Sequence, residues 1–123
     1  MAATDEAATD ENRGPLVGIR VLDLADERAE YAGRLLADLG AEVIKVEPPG
    51  GTPSRRVPPF ADDAADDPEG SLYWALTGFG KRSVVLDYVR EDGDRRQLRE
   101  LIASSDVLVE SFDPGTLDTI ELG

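Results

Sequence analysis

Leu16-Val17-Gly18-Ile19-Arg20-Val21-Leu22-Asp23-Leu24 opens a stretch that closes on Glu42-Val43-Ile44-Lys45-Val46-Glu47-Pro48-Pro49-Gly50-Gly51. In the first run Ile19, Val21, Leu22 and Leu24 are strand-like and largely apolar; in the second, Val43, Ile44 and Val46 are. Between them the period changes. Over residues 28–39, Ala32, Leu35, Leu36 and Leu39 fall on one helical stripe, with Arg34 and Asp38 off it. Gly40 follows the last periodic residue, where a left-handed cap belongs. Strand, helix and strand within so short a span make a βαβ unit, with parallel pairing and a right-handed crossover as its default geometry.

Working outward, Pro48-Pro49-Gly50-Gly51 stops the second strand, and a long Pro- and Asp-rich loop runs over residues 48–70. Loops of that length inside a small domain tend to be functional, disordered or covering another part of the molecule. Ser71 has the position of an N-cap for a short helix to Leu76. A third strand is expected at 83–87, a helix at 93–104 with Leu98, Leu101 and Ile102 inward, and a fourth strand at 106–111. Asp113-Pro114-Gly115 ends that strand, and 116–122 starts a helical turn. Residues 1–14 have no apolar period and read as a disordered acidic arm, leaving 15–123 as the domain. The fold class is α/β, with a mostly parallel, Rossmann-like sheet and flanking helices.

The chain has 123 residues, one domain's worth, and a formal net charge of −13. Two segments, 1–15 and 61–69, hold −8 of that charge, and both read as solvated. The acidic balance argues against nucleic acid and anionic membrane surfaces, which need clustered Lys and Arg. With no His and no Cys, the disulfide framework, the Cys-based zinc site, the thiol nucleophile and the Ser–His–Asp triad are excluded. No metal site is expected either, because the run 62–69 lacks calcium-loop spacing. No apolar run reaches membrane-span length, and the acidic start is unlike a signal peptide, so a cytoplasmic protein is expected.

Ligands of open α/β sheets sit at the strands' carboxyl ends. The first strand–helix turn has a single Gly and no G-x-G-x-x-G, and no Walker A sequence occurs, which disfavours the usual nucleotide cofactors. Two basic pairs, Arg55-Arg56 and Lys81-Arg82, are either phosphate contacts or surface charge balance. Asp23 and Asp87 end strands and read as caps of the following turns. Tyr73, Trp74 and Phe79 form an aromatic cluster, read as packing of the loop or as an adenine platform. From the residues alone the reading is an α/β domain with a candidate site for a phosphorylated ligand.

The order of segments carries more. Gly14-Pro15-Leu16-Val17-Gly18-Ile19-Arg20-Val21-Leu22-Asp23-Leu24 is followed by Leu35-Leu36-Ala37-Asp38-Leu39-Gly40-Ala41 running into residues 42–51, and then by Ser71-Leu72-Tyr73. Next come Lys81-Arg82-Ser83-Val84-Val85-Leu86-Asp87 and Asp106-Val107-Leu108-Val109-Glu110-Ser111-Phe112-Asp113-Pro114-Gly115. In this order and spacing they resemble the N-terminal part of the class III CoA-transferases, the carnitine dehydratase/bile-acid-inducible family, over residues 14–123. That family includes formyl-CoA transferases and α-methylacyl-CoA racemases.

The resemblance implies an incomplete Rossmann-like large domain and interlocked subunits, hence a homo-oligomer or a partner that supplies the rest of the enzyme. It implies acyl-CoA and carboxylic acid as substrates, with no covalently bound cofactor. In the transferases an Asp attacks the acyl thioester, and CoA passes on through an aspartyl thioester. That Asp matches no residue here, so no catalytic residue is assigned and the chain alone is expected to show no turnover. CoA contacts carry over to Glu27, Arg28, Pro48, Leu86, Asp87, Tyr88, Val89, Ser111 and Phe112. The chain departs from the family pattern where Ala29-Glu30-Tyr31 replaces Ala-Gly-Pro, Pro48 replaces an Arg, Ser111 replaces an Asn, and no basic residue stands near Thr119. The expected function is the CoA-binding portion of an acyl-CoA:carboxylate CoA-transferase. The alternative is a non-catalytic acyl-CoA-binding or protein-interaction module.

Overall fold

The computed structural model describes residues 14–62 and 67–122. The acidic arm expected at 1–14 lies outside the described residues except for Gly14, and so does part of the acidic run at 62–69. Elements follow in the order β1 (Arg20–Asp23), α1 (Glu30–Asp38), β2 (Glu42–Glu47), a 3-10 turn (Pro53–Arg56), α2 (Leu72–Gly78), β3 (Arg82–Val85), α3 (Asp92–Ala103), β4 (Val107–Val109) and α4 (Thr116–Thr119). The sheet is four-stranded and parallel throughout, in the order β3-β2-β1-β4. Val21 pairs with both Val43 and Val107, and Val46 pairs with Val84. The order reverses between β1 and β4.

Both faces of such a sheet are covered, so alternate residues of one strand serve two cores. Leu22, Leu24, Val46, Leu86, Tyr88 and the fully buried Leu98 of α3 form one, joined by Ile44, Leu101, Ile102 and Phe112. Val21, Ala41 and Val43 form the other, packed against Leu36 and Ala37 of α1. Burying one such Leu or Val stabilises the fold by about 1.5–3 kcal/mol. Local signals act where expected. Ser71 Oγ accepts from the Trp74 N–H at 3.1 Å and starts α2, and Gly40, just past α1, has φ +102°.

The α1 and α2 side of the sheet is polar at its carboxyl end. Asp23, Lys45 and Glu47, buried strand residues, stand there with buried Glu30 from the first turn of α1. Lys45 Nζ donates to the Ala25 carbonyl and lies 3.4 Å from both Asp23 and Glu30. Lys81 Nζ lies 2.6 Å from Asp23 and donates to the Glu30 carbonyl at 2.7 Å. Glu47 takes a two-pronged contact from Arg55, at 2.6 and 2.8 Å. Three acids thus face three bases. Among the described residues no buried side-chain nitrogen or oxygen lacks a hydrogen-bond partner, the condition under which buried charge is tolerated.

This network fastens the long loop. Glu30 accepts from Thr52 Oγ1 at 2.9 Å, and Ser54 Oγ lies 2.8 and 2.9 Å from its two oxygens. Arg55 reaches Glu69 at 2.8 Å and stacks on Trp74, 4.3 Å from the ring centroid. The first part of the loop is therefore a clamped wall carrying a 3-10 turn.

Candidate functional site

Three features converge at the reversal of strand order. Beyond β1 the chain runs Leu24-Ala25-Asp26. Beyond β2 it runs Pro48 to the clamped Thr52-Pro53, and beyond β4 it runs Glu110-Ser111-Phe112. With Val46 and Tyr88 these segments enclose a cavity of about 170 Å³, lined by Leu24, Ala25, Asp26, Val46, Pro48, Thr52, Pro53, Tyr88, Ser111 and Phe112. It lies outside the carboxyl ends of the strands, where open α/β sheets hold ligands. Its floor is apolar, and its aromatic wall is the edge-to-face pair Tyr88 and Phe112, centroids 6.5 Å apart. Burial pushes the Tyr88 phenol up in pKa, so it stays a neutral hydroxyl.

The polar rim is Asp26, Arg28 and Ser111. Ser111 Oγ donates to Asp26 Oδ1 at 2.7 Å and accepts from the Asp26 N–H at 2.9 Å. Arg28 Nη2 donates to the Ser111 carbonyl at 2.6 Å, and its Nε lies 3.0 and 3.1 Å from the two Asp26 oxygens. The hydrogen bond from Arg28, helped by Ser111 and opposed by burial, holds the Asp26 carboxyl at a pKa of about 2. The rim therefore joins one fixed anion to the cation beside it.

Of the nine residues singled out from sequence, Pro48, Tyr88, Ser111 and Phe112 line this cavity. Leu86 is buried in the same apolar cluster as Tyr88, with Phe112 packed on it. Arg28 stands at the rim. The other three point elsewhere. Glu27 is exposed, and its carbonyl accepts from the Tyr73 hydroxyl at 2.8 Å. Asp87 caps the turn before α3, accepting from the Arg90 N–H at 3.2 Å. Val89 is 59% exposed in that turn. Leu24, Ala25, Asp26, Val46, Thr52 and Pro53 were not singled out. Val46 is the penultimate residue of β2, and Leu24, Ala25 and Asp26 directly follow β1, so position at a strand's carboxyl end was their signal; for Thr52 and Pro53 no local signal existed.

One cation of each basic pair is spent within the protein. Lys81 is buried against Asp23, its pKa pushed down by burial with Asp23 opposing, and Arg55 is committed to Glu47 and Glu69. Nor do Tyr73, Trp74 and Phe79 form a platform. Trp74 lies under Arg55, while Phe79 is 65% exposed beneath Arg34. A larger groove, of about 430 Å³, is lined by Val17, Gly18, Gly40, Glu42, Gly80 and Arg82 at the strands' amino ends. Its charged groups, Glu42 and Arg82, face each other at 3.5 Å. Among the described residues no helix is long and apolar enough to cross a membrane.

Comparison with known proteins agrees with this architecture. The succinyl-CoA:mesaconate CoA-transferase of Haloarcula hispanica is 42% identical over 111 residues, covering 89% of this chain and 28% of that protein. The beta subunit of the succinyl-CoA–L-malate CoA-transferase of Chloroflexus aurantiacus is 44% identical over 111 residues, covering 89% of this chain and 26% of that subunit. The crystal structure of a CAIB/BAIF family protein from Brucella suis superposes with a TM-score of 0.79 at 38% identity, over 89% of this chain and 29% of that one. The chain thus spans little more than a quarter of the length of these relatives. The family model for CoA-transferase family III matches residues 16–123, and the chain belongs to that family.

Proposed function

We propose that this chain is the CoA-binding portion of an acyl-CoA:carboxylate CoA-transferase and that CoA docks at the cavity between the ends of β1 and β4. The observation that carries the reading is that Pro48, Tyr88, Ser111 and Phe112, assigned by family resemblance, line one cavity at the reversal of strand order. The Tyr88–Phe112 wall and the apolar floor suit one flat ring of the ligand, such as adenine. The phosphates lie toward the rim, where Arg28 is the cation at hand. Glu27, Asp87 and Val89 are kept as outer contacts only if the bound ligand extends past the rim.

The reaction needs a carboxylate held against the thioester carbonyl. In the family that Asp matches no residue of this chain, so these 123 residues bind CoA without turning it over. The nucleophile and the acceptor-acid site come from further polypeptide, either the rest of the enzyme or a second subunit. Isothermal titration of CoA tests the reading. Saturable one-to-one binding is expected, weakened about tenfold or more in Phe112→Ala, in line with about 1–3 kcal/mol for a base stacked on an aromatic side chain. Absence of saturable binding at millimolar CoA overturns it.

A further inference from the structure

Arg28, the cation at the cavity rim, is already occupied. Its guanidinium spans from the Asp26 carboxylate, with Nη2 2.9 Å from Oδ2, to the Ser111 carbonyl, and thus bridges the ends of β1 and β4. Asp26, however, has donors besides the Arg28 guanidinium. Its Oδ1 also accepts from the Arg28 backbone N–H at 3.0 Å and from Ser111 Oγ at 2.7 Å. The guanidinium can therefore leave without orphaning a buried group. The Arg28 side chain is 61% exposed, and exposed ion pairs add little to stability.

From this geometry we infer that Asp26 and Arg28 form an exchangeable latch across the mouth of the cavity, opened by a ligand's phosphate that takes Arg28 from Asp26. This rests on the CoA reading above for the ligand's identity, but the latch is a property of the rim itself. Asp26 acts as a specificity residue. It competes for Arg28, and its fixed negative charge repels any phosphate that does not displace it. Because the Asp26 carboxyl stays ionised down to about pH 2, a competing anion opens the latch and mild acid does not.

Titrating CoA, and separately inorganic pyrophosphate, into the 123-residue chain and its Asp26→Asn, Arg28→Ala and double variants tests this. Removing one unit charge about 4 Å from a phosphate in water is worth about fivefold in affinity. Asp26→Asn is therefore expected to tighten binding about fivefold and to steepen its salt dependence. The gain is expected to vanish in the Arg28→Ala background. Unchanged or weaker binding in Asp26→Asn, or a gain that survives Arg28→Ala, overturns the latch. If no variant binds CoA, the CoA reading fails, and pyrophosphate still decides the latch. A gain for Asp26→Asn supports it, and none overturns it.

Discussion

Glu47 is a charged strand residue that the fold turns into the interior. In Glu42-Val43-Ile44-Lys45-Val46-Glu47 the period of two puts Lys45 and Glu47 on the same face as the core residue Val43. Both faces are covered, so Lys45 and Glu47 point inward and must find partners. The signal was latent in the register, where Asp23 stands directly beside Lys45 and Ser83 pairs across from it. The groups that complete the network, the Thr52 N–H and Arg55 on Glu47 and the hydroxyls of Thr52, Ser54 and Thr77 on Glu30, come from distant segments whose meeting no local pattern announces. Burial pushes the Glu47 pKa up, but hydrogen bonds from Arg55, Ser83 and the Thr52 N–H outweigh it and hold the carboxyl at about 2. The unfolded chain therefore takes up this proton first as pH falls. Stability from Glu47 is full above about pH 4.5 and is lost as pH drops toward 2. Urea midpoints measured from pH 6 to 2.5 should fall over that window. In Glu47→Gln that part of the slope should disappear, with neutral-pH stability lower by about 1–3 kcal/mol from the weakened Arg55 contact.

The helix α1 was legible as an amphipathic stripe. Its start was not, because no Ser, Thr, Asp or Asn caps it; Ala29 holds the N-cap position without a side-chain hydrogen bond. What fixes the helix is its approach to the charge network. Gly33 sits mid-helix, where Ala ordinarily gains up to about 1 kcal/mol. A Cβ there would lie 2.6 Å from Asp23 Oδ2 and 3.0 Å from Lys81 Nζ. Gly33→Ala should therefore destabilise the protein, against the helix-propensity trend, by about 1–3 kcal/mol. Chemical denaturation reads this directly, and a rise in stability would show that α1 does not rest on the Asp23–Lys81 pair. The loop after β2 is the opposite case. Its prolines read as an irregular stretch that is functional, disordered or covering another part of the molecule, and Glu30, Glu47 and Trp74 hold its first half in place through Thr52, Ser54 and Arg55.

For the molecule as a whole, the strand–helix–strand pattern and the ordered segments beyond it carried the parallel α/β architecture. Residues at all four strand ends line the cavity. The parts that stayed hidden are non-local. The pairing of β4 with β1 sets the strand reversal, and Lys81, read from sequence as either a phosphate contact or surface charge balance, is spent on the interior. The proposed CoA site lies at the carboxyl ends of β1 and β4, opposite the groove at the strands' amino ends. An amide NMR titration with CoA tests it most directly. Shifts are expected at Ala25, Asp26, Arg28, Thr52, Tyr88, Ser111 and Phe112, saturating together, with Gly18, Gly40, Gly80 and Arg82 at the opposite end unmoved. Shifts confined to that opposite groove, or no saturable shifts at all, would contradict the account.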